Sequence, residues 1–233
     1  MSEPTHTLHD TTTTPVVKLV TLGDVGTGKT TLCQAMCGQP NEAATAPTLG
    51  IDFWSKIVHH NHTRIRLNAY DTSGQERFQA LTPSYLRTAD IVLLVLSSTL
   101  VDKDMARQLK WWHQLARENV PARAHYIVAV TKRDLVNGTL IVGSMTADQL
   151  VRCGLSRYHV VTGKAGFNGA GVPGLWDDVV QGVIDCCSAR SAQRMQSLAV
   201  QVTPKPAHKK AIIKDSGNLP CLPCRLKNWA DCC

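Results

Sequence analysis

The sequence predicts an α/β fold, namely a doubly wound, mostly parallel six-stranded sheet with one antiparallel edge strand. The first observation behind this prediction is that six short strand-like runs alternate with amphipathic, helix-like stretches. That alternation is typical of parallel strands joined by crossover helices. The second observation is that only two consecutive runs adjoin, with His60, Asn61 and His62 between them as a hairpin turn, which makes one edge of the sheet antiparallel.

The individual elements follow in chain order from short Val-, Ile-, Leu- and aromatic-rich runs and from stretches with apolar residues at helical spacing. Predicted strands cover residues 16–22, 53–59, 63–70, 91–96, 126–130 and 158–161, and predicted helices cover 30–37, 102–118, 146–153 and 175–186. Thr146 and Gln149 fit a capping box at the start of the third helix. Gly154 fits the end of that helix.

Length and composition indicate one domain with two polar flanks. Residues 1–15 are Thr-rich and lack apolar periodicity, and residues 187–233 are rich in Ser, Gln, Pro and Lys, so both are expected to be flexible arms around a domain at 16–186. Residues 1–186 contain 17 Lys and Arg against 16 Asp and Glu, whereas residues 187–233 contain 8 against 2. A near-neutral domain with a basic tail suggests an anionic membrane surface as a partner at least as strongly as nucleic acid, and a merely solubilising tail is the alternative.

Cysteine usage and hydropathy predict an intracellular chain. The longest purely apolar run, residues 91–96, is far shorter than the ~20 residues that a membrane-spanning helix needs. The N-terminus lacks the apolar core of a signal peptide. The 9 cysteines are not spaced as a secreted disulfide framework, so reduced thiols are expected.

A phosphate-binding loop is predicted where the first strand meets the first helix. The segment "GDVGTGKTT" matches G-x-x-x-x-G-K-[ST] in the strand-to-helix context that the motif requires. Backbone N–H groups of such a loop surround phosphates, its lysine reaches the β- and γ-oxygens, and its hydroxyl residue ligates Mg²⁺. The residues expected to bind phosphate here are Gly23, Asp24, Val25, Gly26, Thr27, Gly28, Lys29, Thr30 and Thr31.

The segment "DTSGQERF" follows the third strand with groups suited to phosphate hydrolysis. Asp71 can hold Mg²⁺ through water, and the N–H of Gly74 can contact a γ-phosphate. The carboxamide of Gln75 can orient an attacking water, which makes Gln75 the candidate catalytic residue.

The segment "TKRD" follows the fifth strand with Thr131, Lys132 and Asp134. A carboxylate that accepts hydrogen bonds from N1–H and the exocyclic amine of guanine selects guanine over adenine, which offers no such pair of donors. Asp134 is the candidate for this selection.

Six segments resemble those of the Ras-like small GTPases and occur in the same order: "GDVGTGKTT", "PTLGIDF", "DTSGQERF", "TKRD", "TGK" and the terminal "CC". Three shorter segments resemble the Rab branch of that family, namely "LGIDF", "QERF" and "SYLR". The resemblance implies a GTPase that regulates vesicular membrane traffic, with Mg²⁺ and GTP or GDP bound. It implies Thr30, Thr48 and Asp71 around the metal, with Thr48 and Gly74 at the γ-phosphate. The implied guanine-binding residues are Thr131, Lys132, Asp134, Thr162, Gly163 and Lys164.

The same resemblance implies two switch segments, residues 41–52 and 71–82, which GTP holds and hydrolysis releases. Phe53, Tyr70 and Tyr85 correspond to the aromatic triad that Rab partners sense, with Tyr70 in place of the usual Trp; plain core packing of the three remains an alternative. Implied partners are effectors, exchange factors, GTPase-activating proteins, escort proteins and GDP-dissociation inhibitors, and a monomer that binds no nucleic acid is expected. The implied location is the cytoplasmic face of an internal membrane, with a cytosolic pool.

Several positions depart from the family pattern. Asn41 stands where an aromatic residue usually packs against guanine, which predicts fast release of GDP. Val25 occupies a loop position near the catalytic water, which predicts slow hydrolysis. Ser73 replaces the commoner Ala, and Thr131 replaces Asn.

The C-terminus resembles the Rab double-prenylation signal, with Cys232 and Cys233 as lipidation sites. Two lipid chains give the stable anchoring that one chain does not, and Lys205, Lys209, Lys210 and Lys214 add attraction to an anionic leaflet. For Cys221 and Cys224, palmitoylation or no role is favoured over half of a zinc site.

Two alternative functions are open. A nucleotide-loaded scaffold that barely hydrolyses GTP is compatible with Val25 and Ser73, although the retained Gln75 favours an enzyme. A nucleic-acid-binding protein is suggested only by the overall pI of about 9.0.

Overall fold

The computed structural model describes residues 14–39, 48–75, 82–136, 143–155 and 158–202. Its strands are β1 (Val16–Leu22), β2 (Ile51–His60), β3 (Thr63–Thr72), β4 (Ile91–Ser97), β5 (His125–Thr131) and β6 (His159–Val160). Its α-helices are α1 (Lys29–Cys37), α2 (Thr82–Leu86), α3 (Asp102–Asn119), α4 (Ser144–Arg152) and α5 (Val172–Val202).

The strands form one six-stranded sheet in the order β2-β3-β1-β4-β5-β6. β2 pairs antiparallel with β3, while every other neighbouring pair is parallel. Asn61 and His62 have φ values of 44° and 62°, the left-handed conformation of a two-residue hairpin turn. The predicted fold class and its antiparallel edge are therefore confirmed.

Strand β4 is buried at all seven of its residues. Because successive side chains of a strand point to opposite faces, Ile91, Leu93 and Val95 enter one hydrophobic core. Val92, Leu94 and Leu96 enter a second core. The sheet thus separates two apolar layers.

Helices cover both faces of the sheet. Apolar side chains of α1 and α5 complete the first core, as Leu32, Met36 and Leu175 illustrate. Side chains of α2, α3 and α4 complete the second core. This arrangement leaves the carboxyl ends of the parallel strands open at one edge, where doubly wound folds bind ligands.

The start of α4 differs from the predicted capping box, which is wrong. The helix begins at Ser144 with Gly143 as its N-cap, before Thr146. The carboxylate of Asp102 accepts the backbone N–H groups of Met145 and Thr146 at 2.9 Å each, so a carboxylate at the start of α3 caps α4 from outside. The predicted stop is confirmed, since Gly154 follows the helix with a φ of 70° and donates to the carbonyl of Val151.

Helix α5 is longer than the predicted 175–186 and continues to Val202. Its residue Arg190 donates from Nη2 to the buried carboxylate of Asp90 at 2.5 Å and from Nη1 to the carbonyl of Val16 at 2.7 Å. The compact unit Met1–Arg194 contains all six strands; of the second unit, Met195–Cys233, the structure describes only the helical residues 195–202. Within the described ranges, no helix combines the length and apolarity needed to cross a bilayer.

Candidate functional site

A cavity of about 330 Å³ lies where β1 and β3 end and α1 begins. Residues of the predicted phosphate loop, the two switch segments and the predicted guanine motif line it together. The lining residues are Val25, Gly26, Gly28, Lys29, Thr30, Thr31, Thr48, Thr72, Ser73, Gly74, Gln75 and Lys132.

The loop between β1 and α1 requires glycine at its first position. A Cβ on Gly23 would lie 2.2 Å from the carbonyl oxygen of Val95 in β4, a distance that no side chain tolerates. The loop therefore packs directly against the sheet. It ends at Gly28, the N-cap of α1, so the N–H groups of the first helical turn face the cavity edge.

Lys29 is 5% exposed and reaches back along the loop. Its Nζ donates to the carbonyl oxygens of Gly23 and Asp24 at 2.8 Å each. Burial lowers the pKa of Lys29, while the charges of Asp71 and Asp24 oppose that shift. A polyanion beside this ammonium group would offset the cost of its burial.

Three side-chain oxygens converge beside Lys29. The hydroxyl of Thr30 lies 2.8 Å from the hydroxyl of Thr48 and donates to Oδ2 of Asp71 at 2.5 Å. The hydroxyl of Thr48 donates to the same carboxylate oxygen at 3.4 Å. Burial raises the pKa of Asp71, against the lowering effects of the Thr30 hydrogen bond and of Lys29.

Thr21 holds the other oxygen of this carboxylate and was not identified from the sequence. It pairs with Asp71 across the β1–β3 ladder and donates from Oγ1 to Asp71 Oδ1 at 3.2 Å. The one signal that points to it is a polar residue in the buried second half of β1.

The segment after β3 runs along the loop at close range. A Cβ on Gly74 would lie 2.3 Å from the carbonyl carbon of Asp24 and from the nitrogen of Val25. The hydroxyl of Ser73 accepts the backbone N–H of Gln75 at 3.3 Å. Ser73 thus fixes the backbone that carries the candidate catalytic side chain, a role that the sequence did not reveal.

The predicted guanine residues lie at the end of β5 and after β6. Asp134 accepts the hydroxyl of Thr162 at 2.7 Å, which lowers the pKa of its carboxyl group, helped by Lys164 and Lys132. The backbone of Lys132 is left-handed, with a φ of 61°, and its carbonyl accepts the hydroxyl of Ser98 at 2.9 Å. Such a conformation in a residue other than glycine is common at ligand sites.

The segment 162–164 reaches α1, since a Cβ on Gly163 would lie 3.0 Å from Cγ2 of Thr31. Thr131 sits differently from the other members of the predicted guanine set. It is buried, and its hydroxyl contacts the carbonyl of Thr27 in the loop and that of Leu96 at 3.0 Å. Thr131 therefore connects β5 to the phosphate loop.

The three aromatic residues predicted to sense partners contact one another in sequence. The ring centroids of Phe53 and Tyr70 are 5.3 Å apart, and those of Tyr70 and Tyr85 are 5.6 Å apart. The ammonium of Lys18 lies 4.4 Å from the Tyr70 centroid. Phe53 is 54% exposed, so this end of the triad is accessible to a partner.

Some predicted residues fall outside the described residues. They are Asn41, the portions 41–47 and 76–81 of the two switch segments, Cys221, Cys224, Cys232, Cys233 and the four tail lysines. Val25 is described, is 54% exposed and lines the cavity.

The chain resembles known proteins over the region that forms this site. The family model "Ras of Complex, Roc, domain of DAPkinase" matches residues 18–134. "GTP-binding protein ypt4" of Schizosaccharomyces pombe is 31% identical over 157 residues, covering 66% of each chain. "Ras-related protein SEC4" of Saccharomyces cerevisiae is 32% identical over 134 residues, covering 58% of this chain and 59% of that protein.

"Ras-related protein Rab-13" of Mesocricetus auratus is 30% identical over 151 residues, covering 65% of this chain and 73% of that protein. The chain spans less than two thirds of the length of the first two of these curated relatives.

Proposed function

Because this chain belongs to the Ras-like small GTPase family, we propose that it binds and hydrolyses GTP and cycles between GDP and GTP states to regulate vesicular membrane traffic. The observation that carries the proposal is the convergence of Lys29, Thr30, Thr48, Asp71 and Gln75 on one cavity edge. Each of these residues has a chemical role in phosphoryl transfer.

The oxygen cluster fits Mg²⁺. A buried carboxylate with two hydroxyls at 2.5 and 3.4 Å from one of its oxygens is a set of hard oxygen donors, which Mg²⁺ prefers. Thr30 and Thr48 would ligate the ion directly, and Asp71 would hold it through water. When bound, the ion neutralises charge that develops on the β- and γ-phosphate oxygens.

Hydrolysis breaks the bond between the γ-phosphorus and the oxygen that bridges it to the β-phosphate. Gln75 orients the attacking water, and the ammonium of Lys29 stabilises the negative charge on the oxygens of the transition state. The hydrogen bond from the backbone N–H of Gln75 to Oγ of Ser73 restrains the backbone at the catalytic position.

Asp134 selects the base. Thr162 and the two nearby lysines keep its carboxylate ionised, as acceptance of two guanine N–H groups requires. Thr131 is buried and stabilises the pocket through the contact of its hydroxyl with the carbonyl of Thr27. Gly163 and Lys164 lie beside the base.

The switch segments report the bound state. Thr48 and Gly74 contact the γ-phosphate of GTP, and its loss releases both segments. Phe53, with its exposed ring beside Tyr70, presents the state to effectors. Exchange factors, GTPase-activating proteins, escort proteins and GDP-dissociation inhibitors act on the same cycle.

Membrane attachment uses the C-terminus. Prenyl groups on Cys232 and Cys233 and the basic tail provide the two signals that stable but reversible anchoring needs. The proposed location is the cytoplasmic face of an internal membrane with a cytosolic pool.

The second candidate function is a nucleotide-loaded scaffold with little hydrolysis. It is favoured by the exposure of Val25, which lines the same cavity as Gln75, because a β-branched side chain there would crowd an attacking water. Single-turnover hydrolysis by the purified chain distinguishes the two functions. An enzyme hydrolyses bound GTP faster than GTP hydrolyses in buffer without protein, whereas a scaffold does not.

Nucleotide selectivity tests the proposal as a whole. The purified chain with Mg²⁺ is expected to retain GDP and GTP through gel filtration but not ADP or ATP. Asp134→Asn should reduce the preference for guanine about tenfold or more, the loss expected when a hydrogen bond to a charged group is weakened. Asp148→Asn, which changes an exposed carboxylate on α4, should leave the preference unchanged. Equal retention of adenine and guanine nucleotides by the unmodified chain would refute the proposal.

A further inference from the structure

The phosphate loop is connected to a tryptophan in the core. Trp112 of α3 donates its indole N–H to Oδ1 of Asp24 at 2.7 Å, across 88 residues of sequence. Trp112 is 1% exposed and packs in the second core with Leu109 and Ala116. A side chain held so firmly gives Asp24 a fixed anchor.

Asp24 in turn organises the loop. Its carbonyl oxygen accepts hydrogen bonds from Nζ of Lys29 at 2.8 Å and from Oγ1 of Thr27 at 2.9 Å. Gly74 packs against the same peptide group. The orientation of one residue, Asp24, therefore affects the lysine, the loop backbone and the segment that carries Gln75.

We propose that Trp112 is a positioning residue for the phosphate loop, and that its hydrogen bond to Asp24 slows nucleotide release. The proposal rests on the guanine-nucleotide binding proposed above and assigns a cause to how long the nucleotide stays bound. Without the indole donor, the half-buried side chain of Asp24 turns toward water. Its carbonyl then no longer holds Lys29 and Thr27 in the arrangement that closes on the phosphates.

Four variants separate this role from ordinary packing. Trp112→Phe keeps much of the apolar volume but removes the donor, and Asp24→Ala removes the acceptor at the half-buried loop without touching the core. Asp24→Asn keeps an oxygen that can accept the indole N–H. Trp111→Phe is the matched control, because Trp111 packs edge-on against Trp112 with centroids 4.5 Å apart but is 43% exposed.

The experiment measures release of fluorescent GDP from the full chain with Mg²⁺ and excess unlabelled GDP. Trp112→Phe and Asp24→Ala should each release GDP about tenfold faster, the loss expected when a hydrogen bond to a charged group is removed. The double variant should be no faster than either single one, because both remove the same contact. Asp24→Asn should recover most of the retention that Asp24→Ala loses, and Trp111→Phe should release GDP at the unmodified rate.

The possible outcomes separate the two proposals. If the unmodified chain does not retain GDP, the proposed function fails. If the unmodified chain retains GDP but Asp24→Ala releases GDP at the unmodified rate, the proposed role of the hydrogen bond is wrong. This test does not depend on Trp112→Phe, so it stands even if that variant does not fold. Additive effects in the double variant also overturn the proposed role, since they would assign the effect of Trp112 to core packing.

Discussion

The guanidinium of Arg190 in α5 contacts the 3% exposed side chain of Asp90 at the start of β4, with Nη2 2.5 Å from Oδ1. The second carboxylate oxygen accepts the backbone N–H of Lys18 at 2.9 Å. A residue beyond the predicted end of α5 thus pairs with a buried carboxylate that directly precedes the interior strand β4.

Arg190→Ala should lower the free energy of unfolding by about 1–3 kcal/mol, because it leaves a buried acceptor without its charged partner. Urea denaturation of the nucleotide-free chain measures the change. Arg194→Ala, which removes an exposed arginine one helical turn later, should stay within about 0.5 kcal/mol of the unmodified chain. Equal effects of the two substitutions would contradict the structural role of Arg190.

Gly74→Ala should displace the phosphate loop, because the new Cβ would lie 2.3 Å from the backbone of Asp24 and Val25. Overpacking of this kind costs about 1–3 kcal/mol, so thermal denaturation should begin at a lower temperature and GTP affinity should fall. Gly174→Ala is the control, since its Cβ would meet nothing closer than 3.9 Å. Unchanged GTP affinity in Gly74→Ala would show that the loop accommodates the methyl group.

Thr131→Val should destabilise the chain by about 1–3 kcal/mol, because it removes the hydroxyl that contacts the carbonyls of Thr27 and Leu96. The side-chain shape is nearly conserved, so the loss reports on the hydroxyl. Thr131→Ser retains that hydroxyl and should recover most of the stability in the same urea titration. A valine variant as stable as the serine variant would refute the connection between β5 and the loop.

The pH dependence of stability should include a contribution from His113 on α3. Burial, with the nearby charge of Arg117, lowers the pKa of His113 in the folded chain. The unfolded chain therefore takes up the proton first, and stability is lost as the pH falls below the ordinary histidine value of about 6.5. His113→Leu should reduce this loss of stability between about pH 6.5 and 5. His59→Gln, which changes an exposed residue of β2, is the control and should leave the loss unchanged. The midpoints of urea denaturation over that pH range measure both effects.

Val25→Gly should increase the rate of GTP hydrolysis in the presence of a GTPase-activating protein. The exposed valine side chain lines the cavity beside Gly74 and Gln75, and access of an arginine finger to such a site accounts for about 10³–10⁵ in rate. Phosphate release under single-turnover conditions measures the effect, with Val151→Gly on the outer surface of α4 as the control. If Val25→Gly does not accelerate hydrolysis, the prediction that Val25 slows turnover is wrong.

The sequence predicted the strands well because each is either a short apolar run or, as in β3, a run in which apolar and polar residues alternate. β1 was predicted with its observed bounds, and the ends of the other strands differ by at most two residues. The five-residue helix α2 was missed, since so short a segment shows no periodicity. The prediction ended α5 at residue 186, whereas the helix continues to Val202, because its later turns are polar and show no apolar stripe.

The sequence predicted those parts of the candidate site whose residues are contiguous, and it missed residues that reach the cavity from distant parts of the chain. Residues 23–31 and 71–75 are identified by their local spacing. Trp112 and Thr21 act through partners 88 and 50 residues away, and no local pattern encodes those contacts. Thr146 shows the opposite kind of error, in which a local pattern predicts a contact that does not form. Its spacing from Gln149 predicted a capping box, but the carboxylate of Asp102, from another helix, caps α4 instead.

Strand β4 has no side that faces water, because its successive residues supply opposite layers of the interior. The strand should therefore tolerate few substitutions. If every residue were replaced in turn and folding were measured, charged residues should prevent folding at all seven positions of β4. The antiparallel edge strand, by contrast, has positions where evolution can vary chemistry without unfolding the protein.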